Sequence, residues 1–195
     1  LYKKSTYKNQ EAQKWWLSKS LSNFQKSLNR FNINLEIITT DSFKVFFDKL
    51  LIKKDISIYW NKVYEPDYLK FDDYLLNNLK NKNILFKICK GNVLSEINEV
   101  KKGDGTPFKV FTPFWRNAER HFIEKIPTKE TKIKKCLRKK SFFKNCINHS
   151  EILPNKIWFQ NFEKLWKPDE ENALQELKKF VKNKIKNYAD GRNFP

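Results

Sequence analysis

The sequence predicts an α/β chain in which a small parallel β-sheet is flanked by helices and is followed by a connection and one further helix. Up to residue 89, short apolar runs alternate with longer segments whose apolar residues recur every three or four positions. Strands and helices that alternate in this way form right-handed βαβ units with parallel strands. The last amphipathic segment has no strand after it, which indicates the start of a separate helical region.

The first helix is predicted over residues 12–30, because its apolar residues recur at spacings of four, three and four. The face expected to be buried comprises Leu17, Leu21, Phe24 and Leu28. A short strand is predicted next, at residues 35–38. It ends at four polar residues, 39–42, which suit the N-cap of a second helix over residues 43–51.

A second strand is predicted at residues 56–60 and a third at residues 84–89, with a helix between them. Pro66 lies where this helix begins, and the fixed φ of proline suits the first turn. Its buried face is predicted to comprise Tyr68, Phe71, Leu75 and Leu79. Three strands are few for a sheet covered on both faces, and the chain has no methionine. We therefore expect one or more strands to precede Leu1.

The pattern changes in the second half of the chain. Gly103-Asp104-Gly105 predicts a turn, and Pro113 is expected to open a helix that reaches about residue 122. Residues 126–150 are lysine-rich and aperiodic, which favours a solvated connection over the alternative, a strip that faces phosphates. A last helix is predicted over residues 169–188, with an acidic first turn that complements the helix dipole. Its apolar stripe comprises Leu174, Leu177, Val181, Ile185 and Tyr188.

Composition excludes several classes of protein. The chain has 195 residues and a formal net charge of +18, but 39% of its residues are hydrophobic, which excludes a solvated, disordered polycation. Of its 40 basic residues 35 are lysine, so the charge is weak evidence for a phosphate-binding surface. No apolar run reaches the roughly 18 residues of a membrane span. Three widely spaced cysteines and two histidines predict neither a disulfide framework nor a metal site, and a reducing compartment is expected.

No common catalytic motif is present, whether a glycine-rich nucleotide loop, a nucleophile elbow or a paired-histidine zinc site. The most informative segment is residues 59–66, Y-W-N-K-V-Y-E-P, at the carboxyl end of a predicted strand. Open α/β sheets bind ligands at that edge. On pattern alone, packing aromatics followed by a helix start remain the simpler interpretation.

Residues 59–66 resemble the Y-W-N-x-x-Y-E-P segment of the DNA photolyases and cryptochromes. Three further stretches resemble the same family, in the same order along the chain. They are Trp15-Trp16-Leu17 with Ser20-Leu21, the run G-D-G-T-P-F-K-V-F-T-P-F-W-R at residues 103–116, and Trp166-Lys167-Pro168 followed by a helix that ends in Y-x-x-x-R-N-F-P. Each motif is modest alone, but four in register are specific.

The resemblance implies a Rossmann-like antenna domain over residues 1–125 that lacks its first strand or strands. It implies a linker over residues 126–165 and the first helix of an all-α flavin-binding domain over residues 166–195. The catalytic residues of a class I type photolyase are expected beyond Pro195. The 195-residue chain by itself is therefore expected to be inactive in repair.

The activity implied is that of a deoxyribodipyrimidine photolyase, a carbon–carbon lyase. Such enzymes use light to repair cyclobutane pyrimidine dimers in DNA by electron transfer from reduced FAD. Two alternatives stay open: a cryptochrome-type blue-light photoreceptor, and a basic nucleic-acid-binding module without light chemistry. The resemblance also implies damaged DNA as partner, a monomer, a cytoplasmic location, and no membrane or metal.

Five residues carry over as candidate site residues. Tyr188 matches a tyrosine near FAD and Arg192 an arginine that approaches the DNA backbone; a packing aromatic and a solvated charge are the alternatives. Lys14, Asn61 and Glu65 match positions near the antenna cleft.

The identity of the antenna pigment is an open question, and two positions of the sequence bear on it. Folate-binding members often have an Asn-Glu pair just after the Tyr-Glu of this segment, whereas this chain has Asp67 and Tyr68. This departure argues against folate, so that a flavin, a deazaflavin or no antenna chromophore are the remaining expectations.

Overall fold

The computed structural model describes residues 2–3, 11–40, 42–52, 56–80, 82, 84–91, 93, 95–96, 99–121, 132–137, 141–155 and 158–193. Within these residues the strands are β1 Tyr2–Lys3, β2 Thr39–Thr40, β3 Ser57–Asn61 and β4 Leu85–Cys89. The α-helices are α1 Glu11–Asn29, α2 Phe43–Leu50, α3 Pro66–Leu79, α4 Phe111–His121, α5 Gln160–Leu165, α6 Glu170–Asn183 and α7 Tyr188–Gly191. Short 3₁₀ helices span His149–Ile152 and Ile185–Asn187.

The chain divides into two compact units. Leu1–Asp41 and Lys132–Pro195 form one, here the terminal unit, and Ser42–Thr131 form the other, the central unit. The domain boundaries predicted at residues 125 and 165 refer to the domains of the family that the sequence resembles, and they stay predictions.

The central unit is a βαβ unit. Strands β3 and β4 pair in parallel, from Ser57 opposite Leu85 to Asn61 opposite Cys89, and α3 connects them. The core consists of Phe47 and Leu51 from the α2 region with Leu75 and Leu79 from α3. The partly buried residues that pack against it are Phe46, Leu50, Ile58, Trp60, Phe71, Ile84 and Phe86. The predicted fold class, a small parallel sheet flanked by helices, is confirmed.

Local signals determine where the helices of this unit begin. The Ser42 side chain accepts a hydrogen bond from the Val45 backbone N–H, so that it caps α2 as the polar run predicts. Pro66 occupies the first turn of α3, where its missing N–H leaves no hydrogen bond unmade. Both strands begin and end within one residue of their predicted bounds.

The terminal unit contains the second pair of parallel strands, in which Tyr2 lies opposite Thr39 and Lys3 opposite Thr40. The strand predicted at residues 35–38 is therefore displaced towards the carboxyl end. Ile37 instead forms an isolated antiparallel bridge, in which the Ile147 N–H donates to the Ile37 carbonyl oxygen at 2.9 Å. The hydrogen-bond partner of the Ile37 carbonyl group is thus 110 positions away in the chain. A local sequence pattern cannot predict a partner at that distance.

Helix α1 spans its predicted range, but its buried face differs from the prediction. Trp15 and Ser18 are buried at 2% and 1% exposure, whereas Phe24 is 51% exposed. The Ser18 hydroxyl donates to the His149 carbonyl oxygen at 2.7 Å, and Trp15 packs edge-on against Phe162. The segments that pack against α1 therefore cover the side of the helix that carries Trp15 and Ser18, and Phe24 stays exposed to solvent.

The last predicted helix is three consecutive elements, α6, the 3₁₀ helix Ile185–Asn187 and α7. Asp169 caps α6, where its Oδ1 accepts the Asn172 backbone N–H at 2.7 Å. The apolar stripe is about half exposed at Leu174, Leu177, Val181, Ile185 and Tyr188.

The lysine-rich connection has little regular structure where it is described, at residues 132–137 and 141–148. Glu36 holds its second part, since the Glu36 carboxylate accepts the backbone N–H groups of Phe142 at 2.5 Å and Phe143 at 3.0 Å. Residues 126–131 and 138–140 of the predicted connection lie outside the described residues.

Candidate functional site

The carboxyl edge of the β3–β4 pair brings together the chain segments that follow the two strands. Asn61 and Cys89 form the last matched pair, and the Lys62 N–H extends the ladder by donating to the Cys89 carbonyl oxygen at 2.9 Å. Gly91 lies so close that a Cβ added to it would stand 3.1 Å from Asn61 Cβ. A glycine is thus the residue that lets the two segments approach at this edge.

Three side chains form a polar group there, called the edge cluster: Lys62, Tyr64 and Glu96. The Tyr64 hydroxyl donates to Glu96 Oε1 at 2.7 Å, and Lys62 Nζ lies 3.1 Å from Glu96 Oε2. The hydrogen bond to the Glu96 carboxylate is the main cause that raises the pKa of Tyr64 to about 12. The same bond, followed by that from Lys62, lowers the pKa of Glu96.

Asp72 is a buried carboxyl beside this cluster. It is 8% exposed, and its Oδ1 accepts the Trp60 indole N–H at 2.9 Å. Its Oδ2 is buried and has no hydrogen-bond partner among the described residues. Burial raises the pKa of Asp72, and the Trp60 hydrogen bond opposes this by favouring the carboxylate.

A cleft of about 450 Å³ opens between α3, the end of β4 and the edge cluster. It is lined by Lys62, Leu69, Asp72, Asp73, Leu76, Ile88, Cys89, Lys90 and Glu96. Lys90 forms an ion pair with Glu99 and Lys62 one with Glu96, so that both ammonium groups of the wall have a carboxylate partner.

Two predicted antenna residues, Asn61 and Glu65, lie at this strand edge. Both are exposed, and neither belongs to the cleft wall described above. Glu65 is the N-cap residue of α3 but makes no capping hydrogen bond with its side chain. Lys14, the third member of the predicted set, is a half-buried residue of α1 in the terminal unit. The antenna role of these residues stays a prediction.

The other two predicted site residues lie one turn apart at the end of the terminal unit. Tyr188 begins α7, is 52% exposed and meets Phe180 edge-on with ring centroids 5.8 Å apart. Arg192 is the C-cap residue of α7, and its backbone N–H donates to the Tyr188 carbonyl oxygen at 3.0 Å. Both side chains are open to solvent. Their predicted contacts with FAD and DNA stay predictions.

Two sequence motifs from opposite ends of the chain pack together in the terminal unit. The rings of Trp16 and Trp166 meet edge-on at 6.0 Å. The Trp15 indole N–H donates to Glu163 Oε1 at 3.3 Å, and Lys19 Nζ pairs with the same oxygen at 2.7 Å. The hydrogen bond from Lys19 is the main cause that lowers the pKa of Glu163.

The glycine motif forms the predicted turn. The Lys102 N–H donates to the Thr106 carbonyl oxygen at 3.0 Å, and Asp104 Oδ1 accepts both the backbone N–H and the hydroxyl of Thr106. Gly105 has φ +79°, a conformation that a Cβ disfavours. Hydrogen bonds from Thr106 lower the pKa of Asp104.

Sequence reasoning missed Asp72, Lys90 and Glu96. Asp72 offered a signal, since it precedes Leu75 by three positions and Leu79 by seven and so shares the buried face of α3. A carboxyl on an apolar face needs a partner, which Trp60 provides in part. Lys90 and Glu96 follow β4 in a segment without periodicity, and nothing in the sequence distinguishes them.

In the part of the chain that the structure describes, no group of three or more His, Cys, Asp or Glu side chains could hold a metal ion. None of the described helices combines the length and the apolar character needed to cross a membrane.

Comparison with known proteins identifies relatives of the chain. A sequence model of the DNA photolyase family matches residues 2–132. The deoxyribodipyrimidine photo-lyase of Agrobacterium fabrum is 28% identical over 188 residues, which cover 94% of this chain and 38% of that protein. Cryptochrome-2 of Arabidopsis thaliana is 25% identical over 116 residues, which cover 59% of this chain and 19% of that protein.

A solved structure resembles the fold. The bacterial class III photolyase from Agrobacterium tumefaciens matches with a TM-score of 0.78 and 28% identity, over 99% of this chain and 40% of that one. That relative is of class III, so the class I assignment stays a prediction for this chain. The chain thus spans about two fifths of the length of the photolyases that it matches over most of its own length.

Proposed function

Because the chain belongs to the DNA photolyase family, we propose that it is part of a deoxyribodipyrimidine photolyase that repairs cyclobutane pyrimidine dimers in DNA under light. One observation carries this proposal: the identity with the Agrobacterium fabrum photo-lyase extends over 94% of the chain. The match thus extends well beyond residues 2–132, the segment that the family model covers.

We propose the domain division that the motifs imply: an antenna domain over residues 1–125, a linker over 126–165, and the start of an FAD-binding helical domain at 166–195. The geometry around Trp166 supports the last boundary. Pro168 is buried, and the Asn23 amide donates to its carbonyl oxygen at 3.4 Å, after which Asp169 caps α6. The half-exposed apolar stripe of α6 is suited to packing against further helices of such a domain.

FAD is the cofactor that we propose, and Tyr188 is the residue that we propose lies near it. Tyr188 offers a half-exposed aromatic ring that packs edge-on against Phe180. An exposed aromatic ring of this kind can pack against a large planar group. When bound, reduced FAD would supply the electron that splits the dimer.

Damaged DNA is the proposed substrate. A dimer is easier to extrude from the duplex than an intact pair of bases, because its stacking is already impaired. Arg192 is the proposed contact with the DNA backbone, where its guanidinium group would position a phosphate next to the flipped bases. A monomer in the cytoplasm is the proposed state of the protein.

An antenna chromophore near Asn61 and Glu65 of the central unit completes the proposal, and the antenna role of Lys14 is proposed from the family resemblance alone. The exposed edge after β3 supports a ligand at this end of the sheet. A folate, a flavin or a deazaflavin are the candidates, with folate disfavoured by Asp67 and Tyr68. The absorption and fluorescence spectra of the purified full-length gene product distinguish these pigments from one another and from bound FAD.

A repair assay tests the main proposal. The full-length gene product, with its flavin reduced, is mixed with an oligonucleotide that contains one cyclobutane thymine dimer and is illuminated with blue light. Chromatography should show restored thymines in the illuminated sample and none in the dark. A reduced, illuminated flavoprotein that binds the oligonucleotide and leaves the dimer intact would contradict the proposal.

Arg192 allows the DNA contact to be tested separately. In the full-length gene product, Arg192→Ala should weaken binding to the damaged oligonucleotide and reduce the salt slope of log K by about 1, as expected for one lost phosphate contact. Arg116→Ala, which removes an exposed arginine of α4, is the matched control and should leave the slope unchanged. Fluorescence anisotropy at several salt concentrations measures both, and equal slopes for wild type and Arg192→Ala would exclude the contact.

The similarity to Cryptochrome-2 supports a second candidate, a blue-light photoreceptor. Such a protein would bind FAD and respond to light without splitting dimers. The repair assay separates the two candidates, because the photoreceptor predicts a light-dependent change of the flavin spectrum together with an unrepaired oligonucleotide.

A further inference from the structure

The lysine-rich connection carries a concentrated positive charge that the site at the sheet edge does not involve. Residues 131–150 contain seven basic side chains and no acidic one. The rest of the chain, by contrast, mixes charges of both signs. The parts of the connection that the structure describes, residues 132–137 and 141–147, are called the basic strip. They present four exposed lysines, Lys132, Lys134, Lys135 and Lys144.

The backbone of the basic strip is attached to the chain segment that follows α1. The Cys136 N–H donates to the Phe31 carbonyl oxygen at 2.9 Å, and the Asn32 side-chain amide donates to the Cys136 carbonyl oxygen at 3.1 Å. Glu36 and the bridge at Ile37 hold the second part of the strip in the same way. These contacts order the backbone on folding, so that a binding partner does not have to supply the free energy of ordering it. In this respect the basic strip differs from a free, solvated connection.

The ammonium groups of the basic strip are accessible to a partner. None of the four lysines forms an ion pair with a residue that the structure describes. Glu36 is in contact with the strip, but its two oxygens accept backbone N–H groups instead of ammonium groups. Like charges clustered in this way create a positive potential that attracts anions with several charges. A polyanion is therefore the chemical class of partner that this surface fits.

Nucleic acids and anionic membranes both present repeated phosphates, and the backbone of the basic strip distinguishes between them. Lysine-rich segments that bind membranes usually insert apolar side chains from one face of an amphipathic helix. The described residues of the strip contain no helix, and their hydrogen bonds to residues 31–37 oppose insertion into a lipid layer. A DNA duplex requires no insertion, since it presents one negative charge per about 1.7 Å of its axis. The structure therefore favours DNA.

We propose that the basic strip binds the phosphate backbone of double-stranded DNA that has no lesion. Six of the seven basic side chains in residues 131–150 are lysine, which binds phosphates as a point charge. Phosphate contacts carry no sequence information directly, so the binding is independent of sequence and lets the protein slide along DNA. The strip would thus hold the protein on intact duplex while a lesion is found. This role in the search rests on the proposed function, whereas the binding itself needs neither a dimer nor a flavin.

The salt dependence of binding to an undamaged duplex tests the proposal. In the full-length gene product, Lys134→Ala combined with Lys135→Ala should reduce the salt slope of log K by about 2, because each lost phosphate contact removes about 0.9. Lys49→Ala combined with Lys70→Ala is the matched control, since it removes the same charge from exposed positions of α2 and α3. The control should leave the slope unchanged. Fluorescence anisotropy of a labelled duplex at several salt concentrations measures both double variants.

Three results would overturn the proposal. An unchanged slope for the strip variant would show that Lys134 and Lys135 do not contact phosphates. Equal reductions in the two double variants would show that the net charge of +18 acts as a whole, without a dedicated surface. Loss of binding to phosphatidylserine vesicles, with binding to the duplex retained, would assign the strip to a membrane. Circular dichroism checks that each variant is folded.

Lysine acetylation provides a second measurement, on the unaltered protein. An undamaged duplex at low salt should protect Lys134, Lys135 and Lys144 from a limiting amount of an amine-reactive reagent and leave Lys49 and Lys70 reactive. Mass spectrometry of the peptides measures this protection, and it decides the question if the strip variant does not fold. Equal reactivity of the strip lysines with and without the duplex would contradict the proposal. Neither measurement uses a dimer or light, so failure here and failure of the repair assay are separate results.

Discussion

Helix α3 of the central unit and helix α6 of the terminal unit have the same kind of sequence but differ in what covers them. Each is 14 residues long and carries an apolar stripe at helical spacing. Leu75 and Leu79 of α3 are 1% exposed, because β3, β4 and α2 enclose them. Leu174 and Leu177 of α6 are 50% and 56% exposed.

The difference shows what an amphipathic pattern can predict. Periodicity identifies the side of a helix that is apolar, but the partner that covers this side is a property of the rest of the fold. For α3 the partners are adjacent in the sequence, as in any βαβ unit. Helix α6 is only partly covered by the residues that the structure describes. Its stability must therefore come largely from its own capping and helix propensity.

The largest effect is expected from removing a buried leucine. Leu75→Ala should lower the free energy of unfolding by about 2–5 kcal/mol, because it leaves a cavity in the core of the central unit. Leu177→Ala is the matched substitution in α6 and should change the free energy of unfolding by no more than about 0.5 kcal/mol, since its side chain is half exposed. Urea unfolding followed by circular dichroism measures both. Similar losses for the two variants would mean that α6 is as well covered as α3.

A turn of the central unit tests a contribution that does not depend on apolar burial. Gly105→Ala should cost about 1–2 kcal/mol, because an alanine at φ +79° brings its Cβ close to the carbonyl oxygen. Gly103→Ala is the control: no atom lies within 4 Å of an added Cβ, and its φ lies outside the positive range. The melting temperatures of the two variants should differ clearly, and an unchanged melt for Gly105→Ala would show that this turn does not constrain the unit.

The parts of the fold that the sequence predicted well are those specified by neighbouring residues. Strands β3 and β4 and the start of α3 lie within one residue of prediction, because Pro66 and the aromatic runs act locally. The buried face of α1 was predicted only in part: Leu17, Leu21 and Leu28 are half-buried, but Phe24 is exposed and the two fully buried residues, Trp15 and Ser18, were not predicted. Trp15 bonds to a residue 148 positions away and Ser18 to one 131 positions away, and no periodicity within the helix reports such partners.

The candidate sites divide in the same way. Asn61 and Glu65 were predicted at a strand edge and lie at one, since strand ends follow from local pattern. The cleft beside Asp72 was not predicted. It depends on how the Trp60 indole reaches across from β3 to α3 and on the course of the chain after β4, neither of which has a local signature.

The cap of α6 gives the smallest effect and tests the other half of the comparison. Asp169→Ala should lower the free energy of unfolding by about 1 kcal/mol, because the Asn172 N–H loses its acceptor. That backbone hydrogen bond is also the main cause that holds the pKa of Asp169 below its ordinary value. A lowered pKa stabilises the fold above the unfolded value of about 3.9, and this contribution is lost as the pH falls through the lowered pKa.

Asp169→Asn separates the cap from its charge. An asparagine oxygen can accept the same N–H, so this variant should keep most of the stability at neutral pH and lose only the acid-dependent part. The wild-type protein and Asp169→Asn should therefore converge on acidification, while Asp169→Ala stays below Asp169→Asn at every pH. Helical circular dichroism during urea unfolding at several pH values measures the three proteins. If Asp169→Ala unfolds like the wild-type protein, α6 does not depend on its cap, and contacts of its apolar stripe must then hold it as the core holds α3.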